Sequence, residues 1–155
     1  MQFSAKEDLD VPIDDAFNLL SEYDVFERMA MRRGIEVVRN TDASEFGVGS
    51  SWKIDFDWRG KAIKMRAEIV TFERPERVVL DVKTQGLDIK IDFELVALSR
   101  KRTRLHLVTD IDARTLPMRL LVQSMKLARG NIDKKLQERF QSQCRNLEDR
   151  YQMAS

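Results

Sequence analysis

Reactive side chains are few in this chain, so each can be weighed by its neighbours. His106 and Cys144 are the only histidine and the only cysteine. General-base work needs an imidazole close to a substrate proton. Leu105 and Leu107 flank His106 with opposite parity, which puts its ring on the wet face of a strand. Cys144 falls between Phe140 and Leu147 in a helical stripe, the natural place for a small buried hydrophobe. A single cysteine excludes an internal disulfide and any multi-cysteine zinc site, and a single histidine removes His-paired metal sites. No catalytic residue, no metal and no cofactor is therefore expected. Gly47-Val48-Gly49-Ser50-Ser51 has glycine spacing reminiscent of a dinucleotide loop, but it precedes a strand instead of opening a helix and holds no lysine. It reads as a turn needing positive φ, or a close backbone approach at a cavity mouth through Gly47 and Gly49. Four of the five residues Arg100-Lys101-Arg102-Thr103-Arg104 are basic. They suit a solvated hairpin tip or an anionic head-group contact, with Arg28, Arg32 and Arg33 as a second cluster. No stacking aromatics interleave the basic run, so nucleic acid is not an expected partner.

Composition narrows the field further. The 155 residues are about one domain's worth of chain, and residues 1–155 are expected to form a single domain. The 27 basic and 26 acidic residues nearly cancel, so there is no global field for a polyanion. No stretch reaches the ~20 apolar residues of a membrane helix. The first ten residues lack an apolar signal core. A cytoplasmic protein is the expectation, in keeping with one unpaired cysteine.

The elements that must position these residues follow from periodicity. Phe3–Val11 is strand-like, with Glu7 breaking its alternation. Pro12 followed by Asp14 and Asp15 suits a helix start, and Ile13–Met31 carries a helical stripe read as two short helices broken near Tyr23–Asp24. Ile35–Arg39 is a short strand. The period then becomes two: Trp52/Ile54/Phe56/Trp58, Ile63/Met65/Ala67/Ile69, Val78/Leu80/Val82, Leu87 to Leu95 and Leu105 to Ala113 each alternate with polar residues, apart from Val79 and Val108. Short turns such as Arg59-Gly60 and Gln85-Gly86 leave no room for crossover helices, so the sheet is antiparallel with one dry face. From Pro117 to about Arg150 one stripe runs through Met118, Leu121, Met125, Ala128, Ile132, Leu136, Phe140, Cys144 and Leu147, with Thr115 as N-cap. Such a helix is about 50 Å long, and Gly130 marks either a tolerated surface position or a bend. The dry face and the stripe are both buried only if the sheet wraps around this helix, an α+β arrangement of seven antiparallel strands.

This order of elements resembles the helix-grip fold of the START/SRPBCC superfamily, whose members include polyketide cyclase-like, lipid-transfer-like and coenzyme-Q-binding proteins. Asp10-Val11-Pro12-Ile13-Asp14-Asp15-Ala16-Phe17-Asn18-Leu19-Leu20-Ser21 is similar to the family's passage from first strand to first helix. Gly47-Val48-Gly49-Ser50-Ser51-Trp52 is similar to its glycine-rich entry into the third strand. The resemblance implies a cavity between the concave sheet face and the long helix that holds a hydrophobic small molecule such as a lipid, quinone or polyketide.

By parity, that cavity is expected to be lined by Trp52, Phe56, Trp58, Met65, Leu80, Phe93, Leu107 and Met125. The same residues could instead fill a solid core. Arg129, beside the stripe, either snorkels out or reaches in to a ligand carboxylate or carbonyl, and Thr109 shares parity with the dry face. A ligand burying ~300 Å² of apolar surface gains roughly 7 kcal/mol gross, so micromolar or weaker binding is expected. Two alternatives stand beside the carrier reading. One is a cyclase- or aromatase-type enzyme using inward polar groups. The other is a filled-core interaction module working through the leucine row Leu116/Leu120/Leu127, which could also be a lid over the entrance or a homodimer contact.

Overall fold

The computed structural model describes residues 1–40 and 46–154. In chain order its elements are β1 (Gln2–Leu9), α1 (Ile13–Leu20), α2 (Tyr23–Arg32), β2 (Glu36–Arg39), β3 (Ser51–Trp58), β4 (Lys61–Glu73), β5 (Arg77–Thr84), β6 (Leu87–Ala97), β7 (Thr103–Ala113), α3 (Leu116–Leu127) and α4 (Arg129–Ala154). The strands form one antiparallel seven-stranded sheet in the order β1-β7-β6-β5-β4-β3-β2. This is the α+β helix-grip architecture. Period-two sequences gave each strand one apolar face, and hairpins as tight as Arg59-Gly60 joined them. Arg59 and Gly60 both take positive φ, 50° and 78°, the handedness that matches the twist of the flanking strands.

β4 runs further than the alternation of Ile63 to Ile69 suggests. Between Ile69 and Thr71 its register against β5 shifts by one residue, so Ile69 faces Leu80 while Phe72 faces Val78. The extra residue, Val70, is a bulge that returns Phe72 to the apolar face, where its ring meets Phe17 of α1 edge-on at 5.3 Å. Phe17 itself is fully buried.

The single C-terminal helix expected from the stripe is divided. α3 ends at Ala128, whose φ of −99° and ψ of 16° leave helical geometry, and α4 starts at Arg129. The interruption therefore lies two residues before Gly130. Thr115 caps α3 as expected, its hydroxyl accepting from the Met118 amide.

α4 lies along β1, which is an edge strand of the sheet. Its polar side chains take up several of the edge's unpaired backbone groups. The Gln137 amide donates to Lys6 O (3.1 Å) while its oxygen accepts from Lys6 N (3.4 Å). Arg145 donates to Asp8 O (2.8 Å) and Arg129 to Gln2 O (2.6 Å). Just past the strand, Asp10 N donates to Glu148 (2.7 Å). An edge left open would offer these groups to another strand. Glu7, the residue that interrupts the alternation of β1, is partly covered and pairs with Arg145 at 3.6 Å.

Candidate functional site

Because α4 leans on β1, it stands away from the middle of the sheet. Between them lies a cavity of about 590 Å³, within the range that holds a drug-sized ligand. The sheet contributes Trp52 and Ile54 of β3, Ala67 of β4, Val78 and Leu80 of β5, Phe93 of β6, and Leu105 and Leu107 of β7. α4 contributes Leu136, Phe140, Cys144 and Leu147, spaced at three and four residues so that they share one face. The remaining wall is α2, through Phe26, Met29 and Ala30, continued by Ile35 and Val37. α2 is amphipathic, yet none of its residues is buried. Its apolar side faces the cavity instead of close-packed side chains.

Few polar groups reach this space. Trp52 Nε1 donates to Glu27 Oε1 at 2.9 Å, and Arg39 Nε donates to the same oxygen at 2.6 Å. Arg39 also pairs with Asp24 and lies over the Phe46 ring at 4.4 Å. Tyr23 packs against Trp52 and Phe46 with ring centroids 5.2 and 4.4 Å away. Its hydroxyl is buried with no hydrogen bond of good geometry among the described residues; burial pushes its pKa up to about 12, with Ser21 and then Arg74 opposing the rise. Cys144 is likewise pushed up to about 12, chiefly by burial and then by the nearby Glu7 carboxylate. A thiol held protonated in this way is a poor nucleophile. Arg33, just past the end of α2, and Arg139 of α4 line the cavity and are both exposed, as residues at its rim are. Among the described residues there is no cluster of three His, Cys, Asp or Glu side chains able to hold a metal ion.

Four of the sequence-predicted lining residues stand together on the cavity wall: Trp52, Leu80, Phe93 and Leu107. Met65 is half-buried and packs against the core beside Ile54, its partner in β3, without reaching the wall. Phe56 and Trp58 lie further along β3, whose contribution to the wall ends at Ile54. Trp58 is about half exposed, with Arg59 over its ring at 4.6 Å. Met125 is carried off by the break at Ala128, since α3 packs on β7 and the start of α4. Arg129 faces the sheet edge, bonded to Gln2 O, paired with Asp133 at 3.7 Å and placed over Phe3. Thr109 sits opposite Phe3 in the ladder, also outside the lining. Gly47 and Gly49 do not line the cavity either. Gly49 has φ of 97° and open space where a Cβ would stand, so it serves the turn and not a close approach. His106 lies opposite Lys6 and Glu94, on the other face from Leu105 and Leu107.

The parity argument missed the whole α2 wall. A signal was available, because Phe26, Met29, Ala30 and Arg33 recur at three, four and seven residues. Of the basic tip, Arg102 and Arg104 are held by Asp8 and Asp10, Arg104 bonding Asp8 at 2.8 Å and Arg102 meeting Asp10 at 3.2 Å. Asp8 is thereby kept below the usual carboxylate range, mainly by the Arg104 hydrogen bond.

Residues 10–149 match the family model described as Activator of Hsp90 ATPase homolog 1-like protein. No curated protein matches the chain. Among solved structures, a protein of Thermus thermophilus is 16% identical, with a TM-score of 0.67 over 100% of this chain and 99% of that one. A START superfamily protein from Mycobacterium smegmatis is 13% identical, with a TM-score of 0.61 over 99% of each chain. The Zhui aromatase/cyclase of Streptomyces sp. R1128 is 14% identical, with a TM-score of 0.56 over 74% of this chain and 69% of that one. At these identities the structural likeness is one of fold.

Proposed function

This chain belongs to the activator of Hsp90 ATPase homolog 1-like family, within the START/SRPBCC superfamily, and from that premise we propose that it binds and carries a hydrophobic small molecule between its sheet and α4. The observation that supports this most is the 590 Å³ cavity walled by Leu80, Phe93, Leu107 and Phe140 and closed on its third side by α2. A wall of this kind favours apolar ligands through the surface it removes from water, and it selects among them by shape more than by bonding. The cyclase-type alternative has less support, because Thr109 and Arg129, the inward polar groups it would use, lie outside the cavity. The test is native mass spectrometry after incubation with cell extract. Wild-type protein should retain an apolar molecule, and Leu80→Trp, which fills the hollow, should release it while melting cooperatively. An empty wild-type protein would overturn the reading.

A second reading, docking on another protein, is supported by α3. Leu116, Leu120 and Leu127 fall on one outer face and are 70%, 62% and 92% exposed, with Arg119 and Lys126 alongside. That face fits an apolar groove with an acidic rim on a partner protein. Replacing Leu120 and Leu127 by Asp should abolish capture of such a partner without lowering the melting temperature, and unchanged capture would count against it.

A further inference from the structure

Among the described residues, the charges on the cavity lining are not balanced. Of its described lining residues, Glu27 is the one carboxylate, and Arg39 and Trp52 already occupy it. Arg33 and Arg139 line the same cavity from two different elements, α2's end and α4. Among the described residues neither forms an ion pair, a side-chain hydrogen bond or a ring contact. Other arginines in this protein are used differently: Arg39, Arg77, Arg104, Arg145 and Arg150 each hold a carboxylate. Two exposed arginines, uncommitted among the described residues, thus lie on the lining of one apolar hollow. Each offers planar, forked donors of the geometry that a carboxylate accepts. Gln143, one turn along α4 from Arg139, adds an amide to the same wall.

We propose that the ligand is an apolar monocarboxylate, its hydrocarbon body inside the cavity and its carboxylate at the rim between Arg33 and Arg139. This rests on the binding reading above and adds the ligand's charge. Being at the rim matters energetically. The carboxylate stays partly hydrated there, so it need not be stripped of water to gain its two cations. The hydrocarbon supplies most of the affinity, and the guanidinium pair supplies orientation and preference for the acid over its neutral analogue.

The test is isothermal titration calorimetry at neutral pH with two matched pairs of probes, decanoate against decanol and naphthoate against naphthalenemethanol. In at least one pair the acid should bind about tenfold tighter than the alcohol. The difference should vanish in the Arg33→Gln/Arg139→Gln double variant, the acid losing about tenfold more affinity than the alcohol. Added salt should weaken acid binding by the wild-type protein and leave alcohol binding alone, a readout that needs no variant. Equal affinity for acid and alcohol, or an acid preference that survives in the double variant, would overturn the carboxylate inference and leave the apolar cavity reading standing. Failure of all four probes to bind would sink both.

Discussion

Trp52 Nε1 donates to Glu27 Oε1 at 2.9 Å, and this bond ties β3 to α2 across the cavity wall. The same oxygen receives Arg39 Nε from β2 at 2.6 Å, so one carboxylate fastens three elements around the hollow.

Removing that carboxylate should loosen the wall. Glu27→Ala leaves a mostly buried indole N–H without its acceptor and costs Arg39 one of its two carboxylates. A loss of about 1–2 kcal/mol is expected in chemical denaturation, reduced from the fully buried case because Arg39 is partly exposed and keeps Asp24. Fluorescence from Trp52 should shift to longer wavelength in the folded variant.

Tyr23→Phe should behave in the opposite sense. The hydroxyl it deletes is buried with no hydrogen bond of good geometry among the described residues, Ser21 being a polar neighbour, so the ligand-free protein should be as stable as wild type or more stable by up to about 1 kcal/mol. A thermal melt of delipidated protein decides it; clear destabilisation would mean that the hydroxyl is satisfied.

Alkaline pH should destabilise the fold through Cys144. The thiol's pKa rises from an ordinary 9.0 to about 12 in the folded protein. Well below pH 9.0 it is protonated whether folded or unfolded, and it has no effect on stability. Between 9.0 and about 12 the unfolded chain gives up the proton while the folded one keeps it, so stability falls as pH rises. Cys144→Ala should flatten this part of the curve, measured by denaturant midpoints across that range, with Tyr23 leaving a residual slope of the same sign.

Two glycines with similar backbones should respond unequally to alanine. Gly60 and Gly86 have φ of 78° and 75°, but a Cβ on Gly60 meets open space. On Gly86 it would stand 2.5 Å from Thr115 Oγ1 and 2.9 Å from Met118 Cγ. Gly60→Ala is expected to cost about 1 kcal/mol from backbone strain alone. Gly86→Ala should cost clearly more and should speed amide exchange at the start of α3, since it displaces that helix's cap.

Much of this architecture can be read from the amino acids, and the parts that cannot have physical reasons. Alternation in β3 to β7, broken at Val70, Val79 and Val108, marks the strands and their dry face. It also makes Trp52, Leu80, Phe93 and Leu107 recognisable as inward residues. Parity says nothing, however, about where along a strand the hollow ends, and so it treats Trp58 like Trp52. The bulge at Val70 is invisible to a period-two argument until Phe72 is found on the apolar side. Gly130 drew attention as the weak point of the last helix, yet the chain parts at Ala128, a strong helix former whose interruption is decided by the separate seats of α3 and α4. Arg33 and Arg139 are 106 positions apart and gain meaning only when α2's end and α4 share a wall.

Clasping β1 along its outer side leaves β2, Glu36 to Arg39, as the unclasped margin of the sheet among the described residues. Copies that join margin to margin therefore stop at two, since a growing ribbon needs a second unsealed flank on every member. Removing Gln137, Arg129 and Arg145 would reopen part of the β1 edge to strand addition.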